Sequence, residues 1–326
     1  MKQTHLSVSK PYQALLATVL FAAPLCADVT LRYKTELKVN PSLPPQFTEQ
    51  MTKGISTSLP PETTMQFREG KGYSSFGGFR SICDFTNKQM TLLDAEHQRY
   101  ATTSLDGFTE EMAKFFSDVP DEARAAMAAM KVTAESKVTG RTATILGVEA
   151  VEREIAISMS GPQMPNVPPG PMMKMVMQVW TAKNSEAMRL PAIRELTGYN
   201  LWAYATMNPL SSMEKMLKQM PGMGDSLTQV MKEVQSANTA VMRTRMAIFL
   251  PGLAAMMKQM PADKNPFGGT FDADTPIMEV NQELAELSTA AVSEKLFQIP
   301  EAYKAATARE IVRDMIGKFQ PAAAKK

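Results

Sequence analysis

Residues 28–39 (DVTLRYKTELKV) alternate apolar and polar almost without a fault, with Val29, Leu31, Tyr33, Leu37 and Val39 on one side and Thr30, Arg32, Lys34, Glu36 and Lys38 on the other. A period of two with one polar face predicts a strand whose outer side meets water. The Pro-rich stretch 41–61 predicts a connection carrying a short helix around Gln46–Lys53. Four short strands are expected next, Thr64–Lys71, Phe79–Thr86, Gln89–Asp94 and His97–Thr102. They are broken at Gly70 and Gly72, Gly77-Gly78, Asn87-Lys88 and Ala95-Glu96, and the last two breaks are short enough for hairpins. Consecutive strands usually pair, so a meander is the economical arrangement.

Between 106 and 130 the spacing turns helical. Phe108, Met112, Phe115 and Phe116 recur at threes and fours behind Asp106 as a cap, and DEARAAMAAM predicts a second short helix after Pro120. Strands resume at Lys131–Val138 and Arg141–Leu146, separated by Thr139-Gly140, and again at Glu149–Met159 after Gly147. The four prolines of Gly161–Pro171 exclude regular structure there, so this segment is a long hairpin loop leading to a strand over Met172–Ala182. In that strand Met173, Met175, Met177 and Val179 share a face opposite Lys174 and Gln178, with Trp180 near its end.

From Asn184 to Ser236 the pattern is helical with breaks at Pro191, Pro209 and Pro221, and Met213, Met216, Leu217 and Met220 fall on one stripe. Residues 239–250 predict a strand with Met242, Met246 and Ile248 opposite Arg243 and Arg245. A helix over Leu253–Met260, a strand over 276–288 and a last amphipathic helix over 301–319 complete the chain. The sum is an α+β fold: a curved antiparallel sheet, half-barrel in form, with a polar outer face and helices packed on its inner face.

The first residues supply an address. Lys2 and Lys10 precede the apolar run Tyr12–Leu25, which ends at Cys26-Ala27-Asp28. A basic start, a short apolar segment and a small residue before a polar strand form the pattern of a secretory signal, and the run is shorter than the roughly 20 residues of a membrane span. Residues 1–27 are therefore expected to be removed after export to the periplasm or the medium, leaving one domain over 28–320, with 184–236 as a helical elaboration, and a disordered tail over 321–326. Cys26 also invites acylation as a lipoprotein, but Leu25 stands where such signals carry a small residue.

Removing 1–27 takes away two lysines and no acid, leaving 33 basic and 33 acidic residues. A neutral chain has no electrostatic reason to bind nucleic acid. Cys83 is then the one cysteine and His97 the one histidine. An internal disulfide is excluded in that form, and most hydrolase and zinc chemistry is disfavoured.

Methionine is the outlier, with 27 residues. Its thioether is flexible and polarizable, and suits either irregular core space or an adaptable apolar site. A cavity lined by Met173, Met175, Met177, Val179, Met213, Met216, Met220, Met242 and Met246 would accept a lipid or lipoprotein acyl chain. Two alternatives stay open. One is Cu(I) held by the same soft sulfurs; the other is an interaction module docking through 184–236.

Asp84–Tyr100, Thr139-Gly140, Ile145-Leu146-Gly147, Glu149–Met159, Trp180 and the run Leu296-Phe297-Gln298-Ile299-Pro300-Glu301-Ala302-Tyr303 occur in an order that resembles exported bacterial proteins of the DUF4412 type. Those are in turn similar to the outer-membrane lipoprotein carrier family typified by LolA and LppX. The resemblance implies a curved sheet wrapped around helices, in some relatives enclosing an apolar cavity. Its motifs are structural, and Glu301-Ala302 stands where the family favours Gly.

Catalytic signals are thin. Asp94-Ala95-Glu96-His97 places a histidine near two acids, as a base oriented by a carboxylate would be, and equally as an ordinary turn would be. Cys83 follows a strand pattern beside Asp84, an acid that works against a reactive thiolate, and a buried structural thiol is expected. Neither a Gly-x-Ser-x-Gly elbow nor a His-Glu-x-x-His pair is present, and neither is a phosphate-cradling glycine loop. A non-enzymatic protein with no cofactor is the expectation.

Overall fold

A computed structural model describes residues 28–45, 60–76, 79–104, 129–161, 170–198, 240–260 and 272–317, with 48, 49, 52, 106–108, 110 and 111 between them. The segments expected as signal (1–27) and tail (321–326) lie outside the described residues, as do most of the helices expected over 106–130 and, beyond 198, of the helical stretch expected over 184–236.

Strands dominate. In chain order they are β1 (Val29–Val39), β2 (Glu62–Arg68), β3 (Lys71–Phe76), β4 (Phe79–Asp84), β5 (Gln89–Asp94), β6 (Arg99–Ser104), β7 (Lys131–Ile145), β8 (Val148–Ser160), β9 (Met173–Ala182), β10 (Val241–Phe249), β11 (Met278–Ser288) and β12 (Lys304–Ala305). All twelve join one sheet in the order β12-β6-β5-β4-β3-β2-β1-β11-β10-β9-β8-β7. Two meanders, β1–β6 and β7–β11, meet where β1 pairs with β11, from Thr30↔Ser288 to Val39↔Met278. Every neighbouring pair is antiparallel except β12 with β6, so the sheet is mixed. Its edges, β12 and β7, do not pair with each other, and it is not a closed barrel.

Tight turns explain the meanders. The β2–β3 link is Glu69-Gly70 and the β7–β8 link is Leu146-Gly147, each with positive φ at both residues. That is the geometry whose twist matches flanking strands. The β4–β5 and β5–β6 links share another build. Each closing aspartate, Asp84 or Asp94, accepts a backbone N–H three residues on, and each loop ends in a left-handed residue, Lys88 or Gln98.

The expected strands are present, with three corrections. The strand expected over Thr64–Lys71 stops at Arg68 with a turn at Glu69-Gly70, and an unexpected strand, β3, follows with Gly72, expected as a break, inside it. A Cβ there would stand 3.2 Å from the Phe67 and Phe85 rings, so glycine allows the close approach. Lys131–Val138 and Arg141–Leu146 are one strand, β7, whose register shifts between Val138 and Thr142 around left-handed Gly140. The last helix does not begin at 301, because Lys304 and Ala305 pair with Arg99 and Tyr100 instead.

Among the described residues the helices are few: α1 (Asn184–Arg189), a stretch over 191–198, α2 (Pro251–Lys258), a 3-10 turn over Glu294–Phe297 and α3 (Ala308–Gly317), with helical residues also at 45, 48, 49, 52, 106–108, 110 and 111. None is long and apolar enough to cross a membrane. Thr307 opens α3 with a reciprocal cap: its Oγ1 accepts the Glu310 N–H, while the Glu310 carboxylate accepts the Thr307 N–H at 2.9 Å. α2 lies on the apolar side of the sheet, with Ala254 buried among Leu37, Ile248, Met278 and Val280. Leu296, Phe297 and Tyr303 pack on Tyr73, Ile82 and Leu93 of the first meander.

Candidate functional site

Strand register decides which methionines meet. Ile155, Met177 and Met246 face one another across β8, β9 and β10, and the next level holds Ile157, Met175 and Ile248. Met159 and Met173 extend the patch, and Met246 continues it to Val280 of β11. Met173, Met175 and Met177 are half-buried, and Val179 is buried with Ile155, Ile157 and Val132. Of the expected lining, therefore, Met173, Met175, Met177, Val179 and Met246 form one continuous apolar face.

Met242 is set apart from it. Val241 pairs with Thr181 and Arg243 with Trp180, which makes Met242 the extra residue of a β-bulge. Its side chain is fully buried in another cluster, with Tyr33 and Leu284. The Tyr33 hydroxyl donates to the Val241 carbonyl at 2.9 Å, and burial pushes that phenol up to about 12. Met213, Met216 and Met220 lie outside the described residues.

Trp180 shares the polar face with Gln178, and that face adds a feature to the expectation. It meets water as expected, with Glu36, Lys38, Arg141 and Arg245 exposed, but it is also hollowed into a cleft of about 570 Å³ lined by β1 and by β7–β11. Two ladder rows cross it. One runs Glu36, Asn281, Arg245, Gln178, Glu154 and Lys137. The next runs Lys34, Glu283, Arg243, Trp180 and Glu152, with Arg141 of the β7 bulge reaching Glu152. The charges close on one another: Arg243 on Glu283 at 2.6 Å, Arg245 on Glu279 at 2.5 Å and Lys137 on Glu154 at 2.9 Å. The Lys137 ammonium holds the Glu154 carboxyl below the usual carboxylate range. Arg243 also lies 5.3 Å from the centre of the Trp180 ring. Glu152 is 2% exposed, a depth that alternation alone did not signal.

A second cluster joins the β5–β6 turn to α3. Asp94 is fully buried; Arg99 Nη2 lies 2.6 Å from its Oδ2 and 2.7 Å from Asp314 Oδ2. His97 Nδ1 is 2.7 Å from the same Asp94 oxygen. Burial works to raise the Asp94 carboxyl, but hydrogen bonds from Arg99 and His97 together outweigh it and the net shift is downward. The same guanidinium holds Asp314 low. Asp94, His97 and Asp314 bring a set of metal-ligand atoms together. Arg99, however, already supplies the cation between the two carboxylates. Sequence reasoning found His97 and its acid but not Asp314, which is 215 positions from Arg99.

Cys83 is half-buried in β4, between Gly72 and Met90 of the flanking strands, and burial pushes its thiol up to about 11. That is the opposite of an activated nucleophile. The chain matches no protein-family model, and no curated protein is significantly similar to it in sequence.

Proposed function

We propose that this is a non-enzymatic protein of the cell envelope that holds a hydrophobic ligand, a lipid or the acyl part of a lipoprotein, against its Met-rich sheet face. The observation that carries the reading is the register itself, which sets Met177 beside Met246 and Met173 beside Met159 among Ile155, Ile157 and Ile248. Half-buried thioethers on a continuous apolar face can refit around a chain of no fixed shape. The signal-like residues 1–27 and the resemblance to lipoprotein carriers support the same reading, with the sheet as the curved half-barrel of that family.

A fluorescent hexadecanoyl probe titrated with the full chain tests it. Saturable binding is expected, lost at least tenfold in Met177→Lys and held within about twofold when Met173, Met175 and Met177 all become Leu, which keeps the apolar face and removes the sulfur. Unsaturable binding, or equal binding by the Lys variant, overturns the proposal. If the Leu variant instead abolishes tight Cu(I) uptake while the probe never binds, soft-metal chemistry takes its place.

A further inference from the structure

The polar cleft lies on the other side of the sheet from the methionines, so what it binds stands or falls independently of the acyl proposal. We propose that it is a binding site for a neutral, hydroxyl-rich small molecule with the chemistry of a di- or trisaccharide. A volume of about 570 Å³ falls within the range of small-molecule sites.

Charge narrows the ligand. The lining holds four carboxylates and four cations, so the cleft has no net charge. Three of those pairs are closed, Arg141 with Glu152, Arg243 with Glu283 and Arg245 with Glu279. Apart from the exposed Glu36 and Lys38 of β1, whose opposite charges cancel, an ionic ligand would have to break one of these pairs to gain a partner of its own. A hydroxyl would not, because it both donates and accepts. A paired guanidinium keeps spare N–H groups, and a paired carboxylate keeps spare lone pairs.

Between the charges sit the amides Asn281 and Gln178, planar groups that offer a donor and an acceptor side by side. Asn281 has no side-chain hydrogen bond among the described residues, and Gln178 has one long one, 3.5 Å to Glu154. Trp180, 9% exposed and with Arg243 over its ring, presents an apolar edge in the lining along with Ala143. A sugar has that mixture in its own surface, hydroxyls around the rim and C–H groups on a ring face, and aromatic side chains accept the latter. Arg141, Thr142 and Ala143 complete the lining on β7.

The test titrates the full chain with maltotriose, cellotriose and the N-acetylglucosamine trimer by calorimetry and tryptophan fluorescence. At least one should bind saturably with a Kd below about 1 mM. That affinity should change less than about twofold between 50 and 500 mM NaCl, as a ligand without charge requires. Asn281→Leu and Gln178→Leu should each weaken binding at least tenfold with the melting temperature retained. Trp180→Phe, which keeps an aromatic in the core, should weaken it less. Three results would overturn the proposal: no saturation by any of the three at 10 mM, affinity unchanged in Asn281→Leu, or an affinity that collapses with salt.

Discussion

Replacing Arg99 with Met keeps the aliphatic stem and removes the charge that Asp94 and Asp314 share. In the native protein one nitrogen serves both carboxylates, at 2.6 and 2.7 Å, and ties the β5–β6 turn to α3. Without it Asp94, which has no solvent exposure, keeps only the His97 contacts. Breaking a buried pair from one side costs roughly 3–5 kcal/mol. Asp314 is about a third exposed and Arg99 about a quarter, so water screens part of that. About 3 kcal/mol is the reasoned cost, which in a chain of this size lowers Tm by about 6–12 °C. The pH dependence supplies a sharper signature. In the native protein both carboxyls are held low, so their contribution is complete above about pH 4, the unfolded value, and is lost as pH falls through the folded values. In the Met variant burial acts on Asp94 with less opposition, its carboxyl rises, and the folded state gains from protonation. The gap in Tm should therefore narrow as pH falls from 7 to 4. Thermal melts by circular dichroism measure both quantities. A loss under 2 °C at pH 7, or a gap constant from pH 7 to 4, would refute the reasoning.

Gly252 lies in α2 where a Cβ would stand 2.8 Å from the Met172 Cα and 2.5 Å from its sulfur. Gly252→Ala should lower Tm despite better helix propensity, since overpacking at roughly 1–3 kcal/mol exceeds a gain of about 1; a rise would contradict the close approach of α2 to Met172. Leu146 is exposed at φ 50° in the β7–β8 turn. Leu146→Asn should stabilise by about 0.5–1 kcal/mol in urea melts, because Asn tolerates the left-handed region, and no change would place that turn elsewhere. With its thiol near 11, Cys83 should react with iodoacetamide at pH 8 at least about 100-fold more slowly in the folded protein than in urea. Equal rates would show that β4 does not protect it.

Local periodicity was enough to find β1, β5, β9, β10 and α2, because each carries its own alternation or stripe. It failed where a neighbour made the element. Gly72 is held in strand by pairing with Phe67 of β2 and Cys83 of β4, and Lys304-Ala305 leaves the helical pattern to pair with the edge of β6. The Met173–Val179 face was legible as a face, whereas the register that sets Met177 beside Met246 and the bulge that takes Met242 out of that row are set by strand pairing. The polar face was legible too, but not its hollow: alternation tells which side chains share a side, not whether that side bends inward. Likewise nothing near Asp94 announces Asp314, since their shared cation is a tertiary event.

The central claim, a hydrophobic ligand on the Met-rich face, is tested most directly by native mass spectrometry of the full-length gene product recovered from the cell envelope. A heterogeneous adduct whose members differ by methylene units is expected, absent when Met177 is replaced by Lys. A bare polypeptide mass in both proteins would contradict it.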